Sequence, residues 1–133
     1  MQMELEKILK KVSKPGRYTG GEYGQVLKDK TQVSARVAFC FPDSYEIGMS
    51  NLGMRVLYNS LNLMPDVWCE RTFSPLPDME SEMRAAGVPL YTLETFDSVK
   101  DFDFMAITLQ YELCYTNALN LIELAGMPLR AAD

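Results

Sequence analysis

The sequence predicts an α/β domain in which a parallel, Rossmann-like or flavodoxin-like sheet lies between two layers of helices. Two observations support this three-layer prediction. Short apolar runs alternate along the chain with segments whose apolar residues recur at helical spacing, which is typical of a parallel sheet with helices on its faces. The apolar runs are also nearly continuous, as in strands that are covered on both sides. We expect the strand order 3-2-1-4, with the first strand central.

Residues 1–33 are predicted to form an amino-terminal helical arm. Apolar residues recur at helical spacing over residues 3–12, opposite a charged face, and predict an amphipathic helix. Pro15 and the four glycines of residues 15–24 end this helix and predict a loop. A phosphate-binding use of these glycines is disfavoured, because phosphate loops follow a strand and none precedes Pro15.

Residues 34–133 are predicted to form the α/β domain itself. Its first strand is an apolar run that ends before Pro42, and Ser50 or Asn51 is available to cap the helix that follows. The predicted strands cover residues 35–41, 67–73, 90–94 and 102–109. The predicted helices cover residues 52–61, 78–86 and 115–125.

An internal repeat indicates where the chain stands in this fold. Ala86-Gly87-Val88-Pro89-Leu90 and Ala125-Gly126-Met127-Pro128-Leu129 share a glycine that ends a helix and a proline that prevents its resumption. Because a strand is predicted after the first copy, we expect another to begin over residues 129–133. The domain is then truncated before its last strand and helix. The open sheet edge predicts self-association, since it exposes unpaired backbone groups and apolar surface.

Composition excludes several classes of function. The chain has 133 residues, a net charge of −5 and no histidine, so mechanisms that need an imidazole, including Ser-His-Asp catalysis and His-ligated zinc, are excluded. No stripe of Lys and Arg is present to neutralise phosphates, so we expect no nucleic-acid partner. The sequence has no apolar run long enough to cross a bilayer and begins with a polar segment, so we expect no membrane association.

The cysteine pattern indicates a cytoplasmic protein. Cys40, Cys69 and Cys114 are widely spaced, and no C-x-x-C motif is present for a zinc or iron–sulfur site. We expect these residues to be reduced, buried thiols. We therefore predict no metal ligand and no catalytic residue among the three cysteines or elsewhere in this chain.

Candidate binding residues cluster in two predicted loops. Ligands of doubly wound sheets bind beyond the carboxyl ends of the strands, where the strand order reverses. In the order 3-2-1-4 this crevice lies between the strands that end at Phe41 and Leu109, where the loops 42–51 and 110–113 meet. The candidate cofactor-binding residues are Asp43, Tyr45, Glu46, Gly48, Ser50, Asn51, Gln110, Tyr111 and Glu112. An equally weighted alternative is that these side chains cap helices and tie the loops together.

Two of these residues allow a different hypothesis. Glu46 and Glu112 could form a general acid and base pair in a stand-alone small-molecule enzyme, although the sequence does not determine their separation. The glycines at 48 and 53 do not form the G-x-G-x-x-G pattern, so the dinucleotide-binding fingerprint is absent.

The loop after the first strand resembles a cofactor-binding motif. Asp43-x-Tyr45-x-x-Gly48 resembles the D-x-H-x-x-G motif of cobalamin-binding domains of the methionine synthase and mutase type, in which the histidine is the lower cobalt ligand; Tyr45 stands at that position. More widely, the chain resembles the amino-terminal part of radical S-adenosylmethionine proteins with a cobalamin-binding-like domain. The segments that carry this resemblance include Lys14-Pro15-Gly16-Arg17-Tyr18, Phe41-Pro42-Asp43-Ser44-Tyr45-Glu46-Ile47-Gly48-Met49-Ser50, Gln110-Tyr111-Glu112-Leu113 and Pro128-Leu129-Arg130-Ala131-Ala132-Asp133.

The resemblance implies an accessory domain that is not catalytic by itself. It implies that the 4Fe–4S cluster and S-adenosylmethionine are bound by a downstream radical S-adenosylmethionine domain of the same protein, whose C-x-x-x-C-x-x-C motif is not in this sequence. Any cobalamin would bind here without a histidine ligand. An alternative is an intramolecular docking module that has lost cofactor binding and contacts the downstream domain.

Overall fold

A computed structural model of the chain describes residues 1–132, and in this range it contains a three-stranded parallel sheet. The strands are β1 (Ala35–Phe41), β2 (Val67–Phe73) and β3 (Phe104–Ile107), in the order β2-β1-β3. In the register of the sheet, Ala35 lies opposite Val67, and Val37 lies opposite Phe104. The predicted α/β class, the parallel sheet and the central position of the first strand are confirmed.

Five α-helices accompany the sheet within these residues. They are α1 (Gln2–Leu9), α2 (Tyr45–Ser50), α3 (Leu52–Asn62), α4 (Pro77–Ala86) and α5 (Tyr115–Leu124). Short 3₁₀ turns cover Pro15–Tyr18, Val99–Asp101 and Glu112–Cys114. Two helices differ from the sequence prediction. The first helix ends at Leu9 rather than at residue 12, and an additional helix, α2, forms inside the loop predicted for residues 42–51.

Alternation along β1 divides the core into two clusters. Phe39 and Phe41 belong to the larger cluster, which includes residues of α1, α3 and α4, whereas Ala38 and Cys40 belong to a smaller cluster with Leu121 of α5. Successive side chains of a strand point to opposite faces, so the helices cover both sides of the sheet. The three-layer arrangement is therefore observed.

The strand predicted over residues 90–94 is wrong, although this segment does lie beside β2. The Leu93 amide donates to the Arg71 carbonyl oxygen at 2.9 Å, but only an isolated antiparallel bridge between Tyr91 and Ser98 is present. The segment folds back on itself, because the Thr92 amide donates to the Asp97 carbonyl oxygen at 3.1 Å. The resulting turn places donors beside Glu70, which is fully buried in β2. The hydroxyls of Thr92 and Thr95 donate to the Glu70 carboxylate at 2.7 and 2.6 Å.

The ends of the domain also differ in detail from the prediction. The last strand covers residues 104–107 rather than 102–109. Residues 129–132 form turns and bends instead of the start of a strand, and Asp133 lies outside the described residues. The three cysteines are free and buried, as expected. Among the residues that the structure describes, no helix has both the length and the apolar character needed to cross a membrane.

One edge of the sheet is open in this part of the chain. β3 is hydrogen-bonded to β1 alone within residues 1–132, so its other edge has no strand partner. An apolar groove of about 400 Å³ lies at this edge. We call this the β3 groove, and its lining residues are Ile107, Leu109, Tyr115, Ala118, Leu119 and Ile122.

Candidate functional site

The two loops predicted to form the crevice are joined in the structure. The Tyr111 hydroxyl donates to Oδ2 of Asp43 at 3.2 Å, and the Asn117 amide Nδ2 donates to the Pro42 carbonyl oxygen at 3.0 Å. These contacts connect the carboxyl ends of β1 and β3, where the strand order reverses. Gln110, Tyr111 and Glu112 are exposed there. The two loops therefore meet at the predicted place, and Asp43 and Tyr111 link them.

Other candidate residues face the amino-terminal arm instead. The Tyr45 hydroxyl donates to Oε1 of Glu22 at 2.8 Å, and Arg17 donates to the Glu46 carboxylate. The hydrogen bond from Arg17 holds the pKa of Glu46 below its usual value. A general acid near neutral pH needs a raised pKa, so this environment does not favour an acid role for Glu46.

Ser50 and Asn51 bond to backbone groups of helices. The Ser50 hydroxyl donates to the Glu46 carbonyl oxygen within α2. The Asn51 side-chain oxygen accepts from the Met54 amide at 2.9 Å and so caps α3. Asn51 therefore caps a helix, as in the capping alternative, whereas the Ser50 contact lies within α2; the binding role of the candidate residues stays a prediction.

Tyr45 occupies the position of the cobalt-ligating histidine in the resembling motif, and its surroundings do not fit a metal ligand. Its ring packs edge-on against Phe73, with 5.4 Å between the ring centroids. Burial, together with the hydrogen bond to Glu22, raises the pKa of Tyr45 to about 12. The phenol is therefore neutral near pH 7, and its proton is engaged with Glu22.

Gly48, the last residue of that motif, is required by packing. A Cβ atom at this position would lie 2.2 Å from the Phe73 ring, well inside van der Waals contact. The glycine lets α2 approach the end of β2 closely. Within residues 1–132, no group of three or more Cys, Asp or Glu side chains is arranged to hold a metal ion.

A buried charge network lies behind this loop, and the sequence analysis missed it. Arg71 of β2 donates from Nε to Glu94 at 2.6 Å and from Nη2 to Glu22 at 2.9 Å. Glu94 also accepts from the Arg71 amide at 2.8 Å and from the Tyr58 hydroxyl at 3.0 Å. The adjacent charged residues Glu70 and Arg71 inside an apolar strand were the available signal, because buried charges must be paired.

Burial and pairing act in opposite directions on these groups. Burial raises the pKa of Glu22, but the hydrogen bond from Tyr45 and the charge of Arg71 outweigh it, so the net pKa lies below the usual value of 4.5. For Glu94 burial is the larger effect, and its pKa is raised despite Arg71. Burial lowers the pKa of Arg71, but its two carboxylate partners raise it by more. The guanidinium of Arg71 is therefore charged near pH 7.

The fold defines this chain as a doubly wound α/β domain in which the loops after β1 and β3 meet at the reversal of the strand order. A family model described as "Radical SAM proteins, N-terminal" matches residues 53–133, more than half of the chain. The chain therefore belongs to this family of amino-terminal domains of radical S-adenosylmethionine proteins, and this part of the resemblance is confirmed.

One curated relative is much longer than this chain. The chain is 34% identical over 87 residues to a Methanocaldococcus jannaschii protein named "Uncharacterized protein MJ0966". The aligned segment covers 65% of this chain and 15% of that protein, so the chain spans a small part of the relative's length. No solved structure matches the chain.

We predict that Gly48→Ala destabilises the protein by about 1–3 kcal/mol, the usual effect of forcing an extra carbon into a packed site. The measurement is the free energy of unfolding in urea. Gly16→Ala is the matched control, because a Cβ at Gly16 meets nothing within 4 Å. Equal stabilities for the two variants would contradict the packing role of Gly48.

We predict a pH-dependent role for Glu22. Because its pKa is lowered in the folded state, its ionised form stabilises the protein above about pH 4.5, and this contribution disappears as the pH falls through the folded pKa. Urea unfolding of wild type and Glu22→Gln between pH 7 and pH 3 should show a stability difference that is largest at pH 7 and shrinks in acid. Glu6→Gln, on the exposed side of α1, should show no such trend. A difference independent of pH would refute the prediction.

Proposed function

We propose that this chain is an accessory, non-catalytic domain of a radical S-adenosylmethionine protein and that it docks on the downstream part of the same polypeptide. In this proposal the downstream part binds the 4Fe–4S cluster and S-adenosylmethionine. Family membership supports the accessory role. The β3 groove is the observation that carries the docking role.

The β3 groove has the character of a surface that another segment covers. Leu109, Tyr115 and Leu119 in its wall are 56%, 51% and 50% exposed, so large apolar side chains stand half in water. The groove is lined by no charged side chain. Clustered apolar exposure of this kind marks interaction sites in soluble proteins.

The open edge of β3 adds backbone hydrogen bonding to this apolar contact. Strands that follow a helix in a doubly wound sheet return by a right-handed crossover and pair parallel to their neighbour. A strand following α5 in this way would lie beside β3 and pack on the groove. The hydroxyl of Thr108, at the end of β3, is buried and has no hydrogen-bond partner within residues 1–132, so an added segment could also satisfy it.

The docking proposal is tested by co-purification of residues 1–133 with the separately expressed downstream part. We expect a complex that Leu119→Lys weakens at least about tenfold, because a charge would be buried in an apolar interface. Leu63→Lys is the control, since Leu63 is 83% exposed at the end of α3, away from the groove. Without the downstream part, we expect residues 1–133 to self-associate through the same edge.

Two results would contradict the docking proposal. One is failure of the separately expressed parts to associate while residues 1–133 remain a clean monomer in size-exclusion chromatography with light scattering. The other is an equal effect of the Leu119 and Leu63 substitutions on the complex. If Leu119→Lys leaves self-association unchanged, the contact between copies of the chain lies elsewhere than at the β3 groove.

A second candidate function is binding of a corrinoid at the crevice without a cobalt ligand from this chain. The exposed Leu109 and Leu113 beside the Asp43–Tyr111 contact favour it, because they offer apolar surface at the place where doubly wound domains bind ligands. Tyr45 is engaged with Glu22 and takes no part in this proposal as a metal ligand.

The corrinoid candidate predicts retention of hydroxocobalamin by this chain in equilibrium dialysis followed by visible absorbance. Leu113→Lys should reduce retention, whereas Tyr45→Phe should leave it unchanged because the phenol oxygen does not bind cobalt. Absence of retention at high cobalamin concentration would remove corrinoid binding. Two results in Tyr45→Phe, with the fold intact by circular dichroism, would contradict binding without a cobalt ligand from this chain. One is loss of retention, and the other is a changed absorption spectrum of the cobalamin that is retained.

A further inference from the structure

A cavity of about 220 Å³ lies beside β2, between the glycine-rich loop of the arm and helices α2 and α3. We call it the Arg71 cavity. It shares no lining residue with the β3 groove, and the residues of the Asp43–Tyr111 contact do not line it. Its lining residues are Tyr23, Gly24, Gly48, Met49, Met54, Arg55, Tyr58, Asn59 and Arg71.

The innermost charged group of this cavity is an incompletely bonded guanidinium. The Arg71 side chain is only 6% exposed, and its Nε and Nη2 donate to Glu94 and Glu22. Within residues 1–132, the only hydrogen-bond partner of its Nη1 is the Met49 sulfur, at 3.3 Å. A thioether is a weak acceptor, whereas a guanidinium carries five N–H donors that suit carboxylate or phosphate oxygens. Because Met49 also lines the cavity, this weak contact lies at the cavity wall.

A second arginine, Arg55, also lines this cavity. Arg55 is exposed on α3 and forms no ion pair with residues 1–132. Asn59 follows it by four residues, so the two side chains share one face of the helix. No aspartate or glutamate lines the cavity. Glu22 and Glu94 already pair with Arg71, so Arg55 is the cationic side chain of the site that has no carboxylate partner within residues 1–132.

The remaining wall is apolar. Met54 and Tyr58 are 2% and 5% exposed and form a buried surface next to Arg71. A ligand that fits must therefore combine one anionic end with a small apolar body. The volume is below the roughly 300–1,000 Å³ of typical small-molecule sites, which restricts the body to about one ring or a short chain.

We propose that the Arg71 cavity is a binding site for a small organic carboxylate. The carboxylate accepts hydrogen bonds from Nη1 of Arg71 and from Arg55, and takes the place of the Met49 sulfur as the acceptor for Nη1. The apolar body of the ligand packs against Met54 and Tyr58. This site gives the domain a ligand-sensing role that is separate from the docking function, because its lining joins the arm, α2, α3 and β2.

The test uses three probes on this chain in ¹⁵N-edited NMR titrations. Benzoate has the required anionic end and ring, benzamide is its neutral counterpart, and inorganic phosphate is an anion without an apolar body. We expect benzoate to shift the amides of Gly24, Gly48 and Asn59 and to bind at least about tenfold more tightly than benzamide or phosphate.

Variants separate this site from non-specific binding of anions. Arg55→Gln removes the cation that has no carboxylate partner and should weaken benzoate binding about tenfold. It should not unfold the protein, because Arg55 is exposed and forms no ion pair with residues 1–132. Arg84→Gln is the control, since Arg84 lies exposed on α4 and outside the cavity, and benzoate affinity should stay within twofold. Arg71 is left intact because its removal would leave Glu94 buried without a cationic partner.

Four results would overturn the proposal. Equal binding of benzoate and benzamide would show that the charge is not recognised, and tighter binding of phosphate would show that the site is not selective for an organic carboxylate. Equal weakening of benzoate binding by Arg55→Gln and Arg84→Gln would place the anion elsewhere on the surface. Amide shifts confined to residues outside the cavity would do the same.

Discussion

The ion pairs of Arg71 hold this domain together. A guanidinium in the interior is stable only if carboxylates and further hydrogen bonds replace its hydration, and here those partners come from distant parts of the chain. Glu22 belongs to the arm, Glu94 to the segment beside β2, and Tyr58 of α3 reaches the same carboxylate. One buried charge thus positions the arm, α3 and the segment after α4 on a single strand.

Glu70, the neighbour of Arg71, imposes the same requirement on the other side of β2. Successive residues of a strand face opposite sides of the sheet, so this dipeptide places one charge in each layer. Arg36 donates to the Glu70 carboxylate at 2.6 Å, and two threonine hydroxyls complete its shell. In the segment that supplies these threonines, the Thr92 amide donates to the Asp97 carbonyl oxygen instead of to β2, so the segment is a turn and the sheet ends at β2 on this side.

The surfaces of the domain differ in how many of their polar groups find partners within the domain and in how much apolar surface stays exposed. Tyr111 and Asp43 bond to each other at the crevice, and Tyr45 and Glu46 bond to the arm. The β3 groove and the Arg71 cavity, in contrast, keep apolar side chains half exposed or donors without a strong acceptor. This contrast is the structural basis of the docking and ligand-binding proposals.

The sequence by itself determined the α/β class, the positions of β1 and β2, and the meeting of the loops after β1 and β3, because these follow from local apolar patterns and from the rules of parallel sheets. It could not show that residues 90–94 leave the strand conformation or that Tyr45 binds Glu22. Both depend on where charges from distant segments are buried, and residue spacing does not carry that information. Only the tertiary structure brings Glu22, Arg71 and Glu94 together, because a buried charge selects its partners by proximity in space rather than along the chain.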